Sequence, residues 1–233
     1  VQLTWTAPTI LYIQLGAELL SGNSFPGAGA SNNGVGTKTL FAKFGGDVGY
    51  SNSWIASASY IRSDATARPS GGTADETGID PLFTGKSDTW VLAGVWKWAP
   101  NGNPRSRNLR LTAEYLSRSE DGSVDLSPEA GTYNSDQKGY YIEGDYRFHP
   151  QWSVGVRYDA MDSDNTVTGI TTPTVLDPTG FKPKRITAMV DFSNSEFSTL
   201  RLQFTRDESN PTADSQVILQ YIVSIGAHGA HTF

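Results

Sequence analysis

The chain contains no cysteine. That excludes a disulfide framework and a thiolate metal site. Histidine is nearly as scarce, with three residues in 233. No stretch reaches the roughly 18 to 20 apolar residues that a membrane helix needs. A basic excess is also lacking. Eighteen Lys and Arg face 24 Asp and Glu, giving a net charge of −6 and a pI of about 5.0. This argues against a nucleic-acid partner. No helical period emerges anywhere. The glycine-rich stretch GAGASNNGVG is followed by no helix, so it is a loop composition and not a phosphate cradle. No charged-then-apolar leader opens the sequence, and Val1 stands directly inside a strand-like pattern.

What the chain does have is glycine (24), Trp (6), Tyr (10) and Phe (10), at a mean hydropathy of −0.36. It also has strand-like alternation, over and over. Eleven strands are predicted: Val1–Thr6, Ile10–Leu20, Lys38–Gly49, Trp54–Arg62, Thr89–Trp98, Leu109–Ser117, Gly139–Phe148, Trp152–Ala160, Arg185–Phe192, Thr199–Asp207 and Gln216–Ala227. Their connections alternate in length. Short turns such as Ala7-Pro8-Thr9, Ser51-Asn52-Ser53 and His149-Pro150-Gln151 trade places with long polar segments. The long ones are Ser21–Thr37, Ser63–Asp88, Arg118–Lys138 and Met161–Lys184. The stretches GYSNSWIASASY, YRFHPQWSVGVRY and DFSNSEFSTLRLQF share one plan of aromatic, polar turn, aromatic. The implied architecture is all-β, an antiparallel up-and-down meander of hairpins, in one domain over residues 1–233.

Parity assigns the faces, because residues two apart on a strand share one. One parity is apolar throughout, as in Leu11, Ile13, Leu15, Ala17 and Leu19, or Tyr140, Ile142, Gly144, Tyr146 and Phe148. The other parity carries Glu18, Lys43, Asp47, Lys97, Arg110, Glu114, Glu143, Asp145, Arg147, Arg157, Asp159, Arg185, Asp191 and Arg201. A soluble sheet with one buried and one wet face shows the same alternation. Two features favour a membrane barrel instead. Aromatic residues gather at strand ends: Trp5, Trp54, Trp96, Trp98, Phe148, Trp152 and Phe192 near short turns, and Tyr60, Trp90, Tyr115, Tyr140, Tyr158 and Tyr221 near long loops. Aliphatic and small residues fill the middle. Two aromatic belts around an aliphatic band match a bilayer and its interfaces. The polar parity also sets Arg beside carboxylates, which suits a confined wet lumen.

On these residues the whole chain resembles Gram-negative outer-membrane β-barrels. The resemblance is most specific at QVILQYIVSIGAHGAHTF. Such barrels finish on an aromatic residue with apolar residues at alternate positions before it, which the barrel-assembly machinery reads. Phe233 fills the last place, with Tyr221, Val223 and Ile225 at its parity. Ala227, Gly229 and His231 depart from the bulkier groups usual there. LQYIVSIGAHGAHTF and VDFSNSEFSTLRLQFTRD also look like a narrower group of barrels labelled zinc-regulated or TonB-dependent outer-membrane receptors.

The resemblance implies the bacterial outer membrane, with the lipid bilayer, lipopolysaccharide and the assembly machinery as partners. The implied activity is porin-like passage of small solutes. The alternatives are the barrel portion of a TonB-dependent uptake receptor and a structural or adhesive surface protein. Eleven strands put the two chain ends on opposite sides of a membrane, whereas bacterial barrels have an even number. The expectation is the C-terminal part of a larger barrel, preceded by further strands and a signal peptide.

The charged positions are the candidate lumen lining, seven of each sign, which tunes solute passage without a strong preference for either. Acidic loop residues such as Asp75, Glu76, Glu120, Asp125 and Glu129 match no calcium-loop spacing. No cofactor and no enzymatic activity are expected. His149 lies in a short turn and His228 and His231 near the same end, leaving no histidine at the long-loop rim. His228 and His231 are weak metal candidates, since residues three apart on a strand face opposite ways.

Overall fold

A computed structural model describes residues 1–27, 34–69, 80–171, 176, 180–195 and 197–225. Its strands are β1 (Gln2–Thr6), β2 (Tyr12–Leu20), β3 (Thr37–Val48), β4 (Asn52–Pro69), β5 (Leu82–Trp98), β6 (Asn108–Leu126), β7 (Glu129–His149), β8 (Trp152–Thr168), β9 (Lys184–Ser195), β10 (Ser198–Glu208) and β11 (Asp214–Val223). They form one sheet in sequence order, each antiparallel to its neighbours. Among the described residues the sole helical element is a 3₁₀ turn at Pro100–Gly102. Among the described residues no helix is long and apolar enough to cross a membrane.

All 11 expected strands are present, and five of them reach much further than expected. β4 continues to Pro69, β5 begins at Leu82 and β8 continues to Thr168. β6 and β7 run to Leu126 and from Glu129, so Arg118–Lys138 is a tall hairpin and not a loop. Alternation fades there because the outward positions become polar. The ladder needs only backbone groups and persists. Two smaller corrections concern the last strand. β11 stops at Val223, so Ile225 lies past the ladder. Tyr221 pairs with Leu200, which pairs with Phe192, itself opposite Trp152. Tyr221 therefore belongs to the short-turn row and not to the long-loop row. Phe233, His228, His231, Asp75 and Glu76 fall outside the described residues.

The sheet is not closed. β1 and β11 are its edges, and among the described residues no ladder joins them. Strand direction alternates, so β1 and β11 run the same way.

Register keeps the apolar parity on one face across all 11 strands. One row reads Leu3, Ala17, Leu40, Tyr60, Trp90. Another reads Leu109, Tyr146, Val154, Val190, Leu202, Leu219. Many side chains of this face are exposed, such as Ile142 at 53%, Leu202 at 51% and Val217 at 71%, and others, such as Tyr60 and Tyr146, are half-buried. Aromatic rings pair across neighbouring strands at both ends of the band, Tyr60 with Trp90 at 4.8 Å and Trp152 with Phe192 at 4.9 Å. One step beyond the Tyr60–Trp90 row the same face turns charged, with Lys38, Arg62 and Asp88 in register. On β7 the band from Tyr140 to Phe148 is nine residues, the length of a strand that crosses a bilayer at a tilt (about 9 to 11).

Candidate functional site on the polar face

Every charged position expected to share a face does so. The register partners Asp145 and Arg110, Glu143 and Arg157, Asp191 and Arg201 place them side by side. A cavity of about 430 Å³ opens on this face toward the short-turn end. It is lined by Asn108, Glu143, Asp145, Arg147, Arg157, Thr187, Met189, Asp191, Arg201 and Gln203, from five successive strands. Flat strands would set β6 and β10 about 19 Å apart. One cavity touching both requires this face to be concave.

Most charges around the cavity are closed into pairs. Arg201 donates through Nε and Nη2 to both Asp191 oxygens, each at 2.8 Å. Arg157 donates to Asp159 at 2.6 Å and to Glu143 at 3.2 Å, with its guanidinium carbon 3.8 Å from the Tyr141 ring centre. The planar fork of Arg suits such two-oxygen contacts. Two groups are left over. Arg147 has no ion-pair or hydrogen-bond partner among the described residues. The Asp145 Oδ1 is shut off from solvent with no hydrogen-bond donor. Gly155 forms the floor. A Cβ there would stand 2.6 Å from Met189 Cε and 2.7 Å from Asp145 Oδ1, so the glycine lets both side chains lie flat.

The remaining expected residues lie outside this cavity. Arg185 bonds Asp207 at 2.5 Å near the long-loop end. Asp47 and Lys97 line a separate cavity of about 440 Å³ beside the turns at Gly49 and Gly102. Glu18 accepts from Gln2 at 2.8 Å. Lys43 sits 5.4 Å from the Phe41 ring centre. Glu114 stands opposite Tyr141 in the β6–β7 ladder. Gln203 is of the polar parity that the sequence assigns to this face, whereas sequence reasoning missed Thr187 and Met189.

It also missed a second cluster on the same face at the long-loop end. Arg68 donates to both oxygens of Glu120, at 2.8 and 2.9 Å, and to the Pro26 carbonyl at 2.5 Å. Glu120 is 3% exposed and Arg68 7%. Arg118 lies 3.9 Å from Glu120 and also bonds Gln137. Both guanidiniums approach the Phe25 ring, at 5.2 and 4.5 Å, and Arg68 lies 4.7 Å from Phe83. Beside them Ala65, Phe83, Val124 and Tyr133 form a small buried core. These positions lie past the Tyr115–Tyr140 row. Burial pushes the Glu120 carboxyl up, but the Arg68 hydrogen bonds and the Arg118 and Arg68 charges outweigh it and hold it below the ordinary value. Burial raises Tyr133 and lowers Arg118. The signal was an apolar set of inward parity: Phe83 on β5, Val124 and Leu126 on β6, Tyr133 on β7 and Val167 on β8.

No family model matches the chain. An Aquifex aeolicus (strain VF5) protein described as an uncharacterized protein is 25% identical over 257 aligned residues, covering 100% of this chain and 51% of that protein. The chain therefore spans about half the length of the curated relative it matches.

Proposed function

We propose that the chain forms part of a porin-like β-barrel of a bacterial outer membrane, passing small solutes along its charged face. The observation that carries this reading is the apolar face, continuous over 11 strands and left exposed. A soluble sheet would cover such a face, because burying apolar surface is worth about 25 cal/mol per Å². Lipid covers it in a barrel. The concave, charge-paired face is then the wall of an aqueous lumen. Parallel edges at β1 and β11 support an odd number of additional strands, which would let the sheet close antiparallel throughout. A relative of about twice the length leaves room for them. It leaves room equally for the plug domain that a TonB-dependent receptor requires.

The test is fractionation and conductance of the full-length protein. The expected result is extraction from membranes only with detergent, and discrete conductance steps in a planar bilayer. Solubility without detergent overturns the membrane reading. Insertion without any conductance or solute flux overturns the open-channel reading and leaves a plugged receptor or a structural or adhesive barrel.

A further inference from the structure

The cavity over Gly155 is more than a stretch of charged wall. We infer that it is a binding site for a small zwitterionic solute, one carboxylate and one ammonium group a few ångströms apart, of the kind an amino acid presents. The inference rests on the channel reading and names the solute class of that lumen.

Arg157 is committed to Asp159 and Glu143, and Arg201 to Asp191. These pairs hold one another's geometry and leave little charge for a ligand. Arg147 keeps all its guanidinium donors free among the described residues. A carboxylate is the ligand group whose two oxygens match that planar fork. Two residues along the same strand and on the same face lies Asp145, about 7 Å away by strand rise. One of its oxygens has no donor in the structure. A cationic donor entering the cavity supplies one once the carboxylate lifts from its bed on Gly155. One free cation and one under-satisfied anion, side by side, complement a dipolar ion better than either single charge. A simple cation would meet Arg147, and a simple anion would meet Asp145. Asn108, Thr187 and Gln203 add uncharged hydrogen-bonding groups around the same space. A volume of about 430 Å³ lies within the range of small-ligand sites (roughly 300–1,000 Å³).

The experiment uses the full-length protein in a planar bilayer, with glycine, acetate and methylammonium as probes added to a potassium chloride bath. Glycine is expected to reduce the open-channel current in a saturable way. Acetate and methylammonium at equal concentration should act at least tenfold more weakly. Arg147→Gln should abolish the glycine effect while keeping a conducting channel. Arg105→Gln, which removes the same charge from an exposed turn outside the cavity, should keep it. Gly155→Val should weaken it by pushing Met189 and Asp145 into the space. Equal effects of acetate and glycine overturn the inference in favour of a plain anion site. A conducting channel indifferent to all three probes overturns it as well, with the channel reading intact. Absence of conductance in the unaltered protein overturns the channel reading itself.

Discussion

Glu120→Gln tests whether charge or shape holds the long-loop end together. The substitution keeps the side chain's size and removes its charge. Arg68, 7% exposed, then loses its carboxylate partner but keeps the Pro26 carbonyl and the faces of Phe25 and Phe83. Breaking a buried pair by removing one partner costs about 3–5 kcal/mol. The two ring contacts each return about 0.5–2 kcal/mol at most, and they exist already in the parent, so they only keep the guanidinium from swinging out. The expected loss is therefore near the lower end, about 3 kcal/mol, a 150-fold rise in local opening. It should be confined to β4–β7 beyond the Tyr60–Trp90 row. Hydrogen exchange of the amides at 63–69, 82–88, 118–126 and 129–137 reads it directly. The comparison that decides is Arg68→Met with Glu120→Leu, which removes both charges and fills their space. Replacing a buried pair by apolar groups is often neutral or stabilising by about 1–4 kcal/mol. If the double variant opens as readily as the single one, the penalty is not an orphaned charge and the reasoning fails.

Other expectations follow from the same geometry. Glu120 titrates below its ordinary 4.5 in the folded protein, so its contribution is complete above that value and is lost as pH falls through the lowered one; the opening free energy of the same four segments, read from exchange corrected for the intrinsic pH dependence of amide exchange, should be flat from pH 8 to 5 and fall below about 4.5. At Gly16 a Cβ would stand 2.1 Å from Cζ of Phe41, so Gly16→Val should cost about 1–3 kcal/mol in urea unfolding, and adding Phe41→Ala should relieve part of it. Val156→Arg, in the middle of the exposed apolar face, should destabilise the protein in lipid vesicles by about 2–4 kcal/mol. An effect within about 0.5 kcal/mol is the signature of a water-facing site and would count against a bilayer there.

How much could be read in the sequence varied along the length of each strand. Between its aromatic rows the chain alternates cleanly, as in Tyr140, Ile142, Gly144, Tyr146 and Phe148, and there the strands lie where periodicity puts them. Beyond those rows Ser117–Gln137 is mostly polar, and its few large apolar residues, Val124, Leu126 and Tyr133, have the inward parity, the reverse of the band between the rows. The hairpin of β6 and β7 was hidden for that reason, and with it the Arg68–Glu120 pair. The face of each lumen candidate was legible, since parity alone sets it. Which candidates meet was not. Arg157 touches Glu143 because the turn at His149-Pro150-Gln151, with its one-residue register shift, sets them opposite each other. The open edges carry no sequence signal of their own, because an edge strand alternates like any other.

A meander in which every backbone ladder joins chain neighbours has the connectivity of a zipper. Among the described residues no ladder reaches past the adjacent strand. Through the backbone, cooperativity travels sideways, one hairpin at a time, as in proteins built of stacked repeats. The strongest teeth are the tall hairpins of β4 to β8, where ladders of 16 to 19 residue pairs are found, against 5 between β1 and β2. Unzipping should therefore begin at the β1 margin and stall at β4. The same asymmetry would make the middle of the sheet the part that forms first and guides the rest into register.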